Sequence, residues 1–246
     1  MSRRARLAVF AACGPALFAF LLWYLAGLPA FGHFHGGIGD LLNHVAVHER
    51  HTSNVVAAVV FDYRGFDTMG EELILFTAVI GVALLLRSFR ADREERPELR
   101  VESDAIRLAG QLMVPVTFLL GLWLAAFGYV TPGGGFQGGV VLASALALVW
   151  AAGSYGAYRR LNPEPLLDLL EGTGAGGYVA IGFVALAIDG IFLDNLLGPG
   201  RRGTLLSGGS IPLLNWASAL EVAAANVLLY REFLEEYVLA LLGREE

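Results

Sequence analysis

The chain has 246 residues, of which 56% are hydrophobic and only 16% are charged. Soluble globular domains carry about 25% charged residues, so this composition does not supply the polar surface that a soluble enzyme needs. The formal net charge of −6 argues against nucleic acid as a partner, because phosphates require a positive surface. The single cysteine, Cys13, excludes an internal disulfide framework.

Six apolar segments are long enough to cross a bilayer, whose hydrocarbon core takes about 20 residues of helix. Backbone polar groups must be satisfied internally in lipid, so these segments should be helical. The sequence therefore predicts an all-α integral membrane protein with about six transmembrane helices. The segments cover residues 5–28, 70–88, 109–130, 134–152, 174–193 and 211–230.

Basic residues at the N-terminus predict the orientation of the chain. Arg3, Arg4 and Arg6 precede the first apolar segment, which is longer than a signal-peptide core and has no small-residue cleavage site after it. We therefore expect a retained helix with a cytoplasmic N-terminus. Six spans return the C-terminus to the same side, so we expect a multi-pass protein of the cell membrane, surrounded by lipid.

A charged connector divides the chain. Between Arg87 and Arg107 lie twelve charged residues, six of each sign. This pattern predicts a two-span domain over residues 1–90, a cytoplasmic connector over 91–106 and a four-span domain over 107–246.

Three histidines follow the first segment at helical spacing. His44, His48 and His51 would share one face if residues 40–63 formed a helix on the membrane surface. Three histidines on one face can bind zinc, which makes them weak metal candidates. No cysteine lies near them and no general base stands beside them, so the sequence favours the polar face of an interfacial helix and predicts no metal site.

Acidic residues cluster where the second span begins. Asp67 or Thr68 can cap that helix, and Glu71 and Glu72 suit its first turn. The alternative is a buried ion-pair network or ion path formed with Asp62 and Arg64, because ionisable residues at membrane depth are costly and tend to be functional. Asp67 and Glu71, four residues apart, would then form a desolvated acidic pair. The sequence leaves both interpretations open.

A glycine-rich loop lies between the third and fourth spans. Gly133, Gly135 and Gly138 satisfy the G-x-G-x-x-G pattern, but a transmembrane helix precedes it where a nucleotide site needs a strand. We therefore reject nucleotide binding and expect a structural loop that stops one helix and lets another pack closely. Its residues are Pro132, Gly133, Gly134, Gly135, Phe136, Gly138 and Gly139.

The stretch Thr131-Pro132-Gly133-Gly134-Gly135-Phe136-Gln137-Gly138-Gly139 resembles the Pro-Gly-Gly-Gly-Phe signature of the MnhB family. That family comprises the B subunits of Mrp-type multisubunit Na+/H+ antiporters and related subunits of membrane-bound hydrogenases. The first half separately resembles the E-type domain near the C-terminus of the large Mrp A protein, through Asn54-Val55-Val56 and Asp62-Tyr63-Arg64-Gly65-Phe66-Asp67-Thr68-Met69-Gly70-Glu71.

The resemblance implies a non-catalytic membrane subunit of a cation/proton antiporter, with other membrane subunits as partners and Na+ and H+ as the transported ions. The alternative is the equivalent subunit of a redox-driven, ion-pumping complex. No cysteine cluster could hold an iron–sulfur centre, and no motif of a catalytic nucleophile occurs. We therefore expect no cofactor and no enzymatic activity in this chain.

Polar residues also occur within the last span. Glu221 lies near its middle, and Asn215, Ser218 and Asn226 extend a polar stripe along the same helix. Asn215 stands where the family often has an aspartate, so this position cannot carry a charge. The stripe predicts either a hydrogen bond to a partner subunit or a direct role of Glu221 in ion transfer.

Overall fold

The computed structural model describes residues 3–28, 32, 36–87, 103–153 and 155–242. All the regular structure in these ranges is helical, without strands. The predicted connector over 91–106 lies outside the described residues except for its last four positions. The helices are α1 Arg3–Ala26, α2 Gly37–Glu49, α3 Val55–Ala58, a π-helix Val59–Tyr63, α4 Gly65–Arg87, α5 Asp104–Phe127, α6 Gly135–Ala152, α7 Tyr155–Leu161, α8 Glu164–Asp189 and α9 Ile211–Leu242.

Six of these helices are long and apolar enough to cross a membrane: α1, α4, α5, α6, α8 and α9. The predicted fold class, an all-α integral membrane protein with six spans, is therefore confirmed. The fifth span differs from its predicted bounds of 174–193, because the helix begins ten residues earlier at Glu164. Pro165 suits that first turn, and Gly190 ends the helix with a φ of +77°.

The predicted surface helix over 40–63 is wrong as a single element. Helix α2 ends at Glu49, and His51 takes a left-handed backbone conformation with a φ of +51°. A short α-helix and a π-helix then follow up to Tyr63. The helix cannot continue through His51, because a residue in the left-handed conformation does not fit into a right-handed helix.

The chain divides into two compact units, residues 1–40 and 41–246. In the first unit, α1 exposes its large apolar side chains, as expected of a helix that lipid or protein must cover. In the second unit, α9 packs against α4, α5, α6 and α8. Two thirds of the α9 span is buried, against 11% of the α4 span, so α9 is the core of this bundle.

Glycines permit the close approach of α6 to its neighbours. A Cβ atom on Gly138 would lie 2.6 Å from the backbone nitrogen of Ala125 in α5. About 100° further around the helix, a Cβ on Gly139 would lie 2.8 Å from Cβ of Val222 in α9. A side chain at either position would have no space, so α6 can approach its neighbours this closely only with glycine there.

Candidate functional site

The two motifs that carry the family resemblance contact each other. The side-chain Oδ1 of Asn54 accepts hydrogen bonds from the backbone N–H groups of Val56 and Ala57 and so caps α3. Its Nδ2 donates to the carbonyl oxygens of Gly128 at 2.5 Å and Thr131 at 3.2 Å. One amide thus connects the first half of the chain to the loop before α6.

Two further bonds join the same segments. The Thr52 hydroxyl and the Asn54 backbone N–H both donate to the carbonyl oxygen of Tyr129. Thr52 is fully buried, so this contact is shielded from solvent. The sequence indicated both motifs but not their contact, which we call the Asn54 clamp and define as Thr52, Asn54 and the loop residues 128–133.

The glycine loop adopts a backbone that side chains disfavour. Gly133 and Gly134 have φ angles of +151° and +152°, which residues with a Cβ rarely adopt. The Gly134 N–H donates to the Leu124 carbonyl at 3.2 Å and so ties the loop back to α5. Helix α6 then begins at Gly135.

A cavity of about 150 Å³ lies between this loop and the start of α4. Its polar lining includes Glu71, Thr68, Gln137 and the backbone of Gly133–Gly135, and Phe136 contributes an apolar wall. The Thr68 hydroxyl donates to the Val60 carbonyl at 2.6 Å and so satisfies a π-helix acceptor. Of the predicted acidic candidates, Glu71 is therefore the one that faces the glycine loop.

Asp62 belongs to a separate polar cluster. It pairs with Arg50 at 2.8 Å, and Asn195 donates to its second oxygen at 2.9 Å. Burial raises the pKa of Asp62 above 3.8, although the Asn195 hydrogen bond and the Arg50 charge oppose the shift. Burial and the hydrogen bond to Glu49 raise the pKa of the neighbouring Tyr63 to about 12.

The sequence left open a single ion-pair network of Asp62, Arg64, Asp67 and Glu71, and these residues do not form one. Arg64 pairs with Asp67 three residues away, and both side chains are exposed on this chain. Asp62 has a different cationic partner, Arg50. The expected desolvated pair of Asp67 and Glu71 is therefore wrong, because Asp67 points to Arg64 and Glu71 is exposed at the cavity.

The buried acid at the start of the second span is Glu72. It is 1% exposed, and it faces Glu221 of α9, which is fully buried. Ser218 lies beside Glu72, while Asn215 donates to the Ala125 carbonyl at 2.5 Å. Asn226, the remaining member of the predicted stripe, donates to Val222 in its own helix. The polar residues of the predicted stripe on α9 therefore contact other residues of this chain.

Sequence reasoning missed a second buried polar cluster, near the end of α9. Arg231 contacts Glu164 at 3.0 Å and Glu235 at 3.3 Å, and it donates to the Asn162 carbonyl. The Tyr155 hydroxyl donates to Glu235 at 2.5 Å. The i, i+4 spacing of Arg231 and Glu235 was the available signal. The members of this cluster pair with each other within the chain.

The three histidines do not converge. His44 and His48 are exposed on α2, whereas the His51 Nδ1 lies 2.7 Å from the Gly200 carbonyl oxygen. Within the described ranges, no three His, Cys, Asp or Glu side chains lie close enough to hold a metal ion.

Comparison with known families identifies both halves of the chain. Residues 105–228 match a domain related to the MnhB subunit of a Na+/H+ antiporter. Residues 2–100 match the MbhE family, the E component of MBH. These matches agree with the two resemblances that the sequence motifs indicated.

Individual relatives extend the likeness over most of the chain. An uncharacterized protein of Methanocaldococcus jannaschii is 32% identical over 216 residues, which is 77% of this chain and 80% of that protein. A probable K+/H+ antiporter protein of Rhizobium meliloti, named for both the A and the B components, is 32% identical over 151 residues, which is 50% of this chain but only 15% of that protein.

Two solved structures share the fold. A chain of the membrane-bound sulfane sulfur reductase, an archaeal respiratory membrane complex, aligns with a TM-score of 0.71 and 30% identity, over 95% of this chain and 99% of that chain. A chain of the Mrp complex from Dietzia sp. DQ12-45-1b aligns with a TM-score of 0.67 and 22% identity, over 94% of this chain and 26% of that chain. Both structures are of membrane complexes, which agrees with the predicted multi-pass membrane protein.

Proposed function

Because this chain belongs to the family of membrane proteins with a domain related to the MnhB subunit of a Na+/H+ antiporter, we propose that it is a non-catalytic subunit of a multisubunit monovalent cation/proton antiporter. In this proposal the chain supports assembly with other membrane subunits and contributes groups to the ion path. The transported ions would be Na+ and H+.

The observation that carries the proposal is the Asn54 clamp. It brings the motif of the first half onto the glycine loop of the second half. The Rhizobium relative, whose name combines the A and B components in one protein, matches half of this chain. A chain that combines A-type and B-type segments would be held together by such a contact.

The cavity beside the clamp supports a contribution to the ion path. Glu71 supplies a carboxylate, Thr68 and Gln137 supply neutral polar groups, and the loop supplies backbone atoms. Oxygen ligands of this kind suit hard cations and protons. In this proposal Glu71 contacts the ion, and the Arg50–Asp62 and Arg64–Asp67 pairs stabilise the surrounding backbone.

One observation favours a second candidate, a subunit of a redox-driven complex. The alignment with the sulfane sulfur reductase chain covers 99% of that chain, and the first half matches the MbhE family. In that case the chain would keep the same membrane role, while separate subunits carried the redox centres.

Exchange measurements in inverted membrane vesicles test the main proposal. The complete complex should show sodium-dependent proton movement, and both a complex without this chain and the chain alone should show none. Glu71→Gln should reduce exchange without lowering subunit content, whereas Asp189→Asn, an exposed carboxylate at the end of α8, should leave it unchanged. The same assays with K+ in place of Na+ determine which cation is exchanged for protons. Robust exchange by the chain alone would overturn the proposal.

Purification of the native complex separates the two candidates. The tagged chain should co-purify with membrane subunits alone if the complex is an antiporter. Iron–sulfur proteins in stoichiometric amounts, with cation pumping that depends on an electron donor, would favour the redox-driven complex.

A further inference from the structure

Glu72 of α4 and Glu221 of α9 form a carboxyl pair inside the helix bundle. Glu72 is 1% exposed, Glu221 is fully buried, and the two side chains face each other. Each lies within a candidate membrane span, Gly65–Leu86 and Ile211–Glu235 respectively. Two adjacent acids do not suit an apolar core, and these two are not solvated at the surface, so their position needs another explanation.

The surroundings of the pair contain acceptors but few donors. All four carboxyl oxygens are buried without a hydrogen-bond partner in the described part of the chain, as are the Ser218 Oγ and the Asn215 Oδ1. The charged groups that act on the pair are themselves acidic: Glu71 acts on Glu72, and Glu171 of α8 acts on Glu221. The Ser218 hydroxyl is a donor that can turn toward Glu72.

Two ionised carboxylates cannot remain adjacent under these conditions. A buried charge must be paired or neutralised, and like charges at close range disfavour double ionisation. Two carboxylates are also both acceptors, so their proximity creates no hydrogen bond until a proton lies between them. A single shared proton removes one charge and supplies the missing donor.

We propose that Glu72 and Glu221 hold one proton between them and form a proton-binding site at the contact of α4 with α9. The proton forms a bond to one carboxyl oxygen and a hydrogen bond to an oxygen of the other. The pair then carries one negative charge, toward which the Ser218 hydroxyl donates.

Close packing at this point favours a proton over a metal cation. A Cβ atom on Gly174 of α8 would lie 2.5 Å from the backbone nitrogen of Glu221 and 2.7 Å from its Cβ. The backbone of α8 therefore lies directly against the residue that carries the carboxyl group. A cation would need several ligands at defined distances around it, whereas a proton requires only the two oxygens.

Glu171 of α8 is a third carboxyl group beside the pair. It is 4% exposed and acts on Glu221. It also lines a groove of about 580 Å³ together with Asp168 and Leu228. Glu171 therefore lies between Glu221 and the groove. Tyr178 of α8 also faces Glu72 and is a further titratable group beside the pair.

Infrared spectroscopy of the purified complex tests the proposal without measuring transport. A use of this proton in exchange rests on the proposed function, but the presence of the proton does not. At neutral pH the complex should show a carboxylic C=O band that shifts in D2O. The double variant Glu72→Gln/Glu221→Gln should lose this band and still assemble, because amide side chains can hydrogen-bond to each other. Asp189→Asn serves as the matched control and should leave the band unchanged.

Single variants keep the test decisive if the double variant does not assemble. In Glu72→Gln or Glu221→Gln the remaining carboxyl has an amide partner instead of a carboxyl, so the band must shift or vanish. A band of unchanged position and intensity in both single variants would overturn the proposal. Loss of the wild-type band on addition of Na+ at constant pH would also overturn it, because the site would then bind a cation.

Absent exchange activity with the band present would contradict only the proposed function. An active antiporter in which the double variant retains the full band would contradict only the proton site.

Discussion

The side-chain oxygen of Asn54 caps α3, and its side-chain nitrogen donates to the loop before α6. An isosteric variant separates these two roles. Asn54→Asp keeps the cap of α3, since Asp caps helices about as well as Asn. It loses the N–H bonds to the Gly128 and Thr131 carbonyls and places a carboxylate beside them. We expect a loss of about 1–3 kcal/mol in stability, measured as a lower unfolding midpoint of the complex.

Asn54→Ala removes the cap as well and should cost about 1 kcal/mol more than loss of the donors alone. Asn43→Ala, at an exposed position of α2, is the control and should leave the midpoint unchanged. Wild-type stability of Asn54→Asp would show that the clamp does not hold the two segments together.

The raised pKa of Asp62 predicts a pH dependence of stability with a definite sign. In the folded protein the carboxyl keeps its proton at a pH where the unfolded chain, with a pKa of 3.8, has lost it. The folded state then binds more protons, so stability falls as the pH rises from 3.8 through the raised folded pKa.

Asp62→Asn should remove this decrease, because an amide does not titrate. The variant should be at least as stable as the wild type at neutral pH, because the raised pKa means that the ionised carboxylate is the less favourable form in the folded protein despite its pair with Arg50. Unfolding midpoints of both proteins across the acid range measure the two effects. A slope that persists unchanged in the variant would assign the pH dependence to another group.

At the scale of elements, α8 offers two glycines with opposite environments. A Cβ at Gly174 would lie 2.5 Å from the Glu221 backbone nitrogen, whereas a Cβ at Gly176 would meet nothing within 4 Å. Gly174→Ala should therefore force α8 away from α9 and cost about 1–3 kcal/mol. Gly176→Ala should be neutral or stabilise the helix by up to about 1 kcal/mol.

Complex yield and unfolding midpoint measure this pair of variants, which share a helix and a chemical change. Equal behaviour of the two would mean that α8 and α9 do not pack as closely as the glycine contacts indicate.

For the molecule as a whole, the arginine distribution predicts that both termini are cytoplasmic. This orientation places Arg160 inside and Arg202 outside, and both residues are exposed. In a Cys13→Ser background, a membrane-impermeant maleimide should label Arg202→Cys in right-side-out vesicles. Arg160→Cys should react only after permeabilisation. The reverse pattern would invert the proposed topology.

Hydropathy and short motifs were sufficient for the membrane class, the six spans and the family. These properties are local: an apolar run of sufficient length must be helical in lipid wherever it packs, and the glycine loop is a contiguous stretch of sequence. Glu221 was also recognisable, because an acid in the middle of an apolar segment is visible without knowledge of its neighbours.

Only the tertiary structure decided which of these groups meet. Glu71 and Glu72 are adjacent in sequence but point about 100° apart around a helix, so the rotation of α4 decides which one is buried. That rotation is set by packing against α9, whose Glu221 is 149 positions further along the chain. The same reason explains why Asp62 pairs with Arg50, and why Asn54 reaches a loop whose residues lie more than 70 positions away.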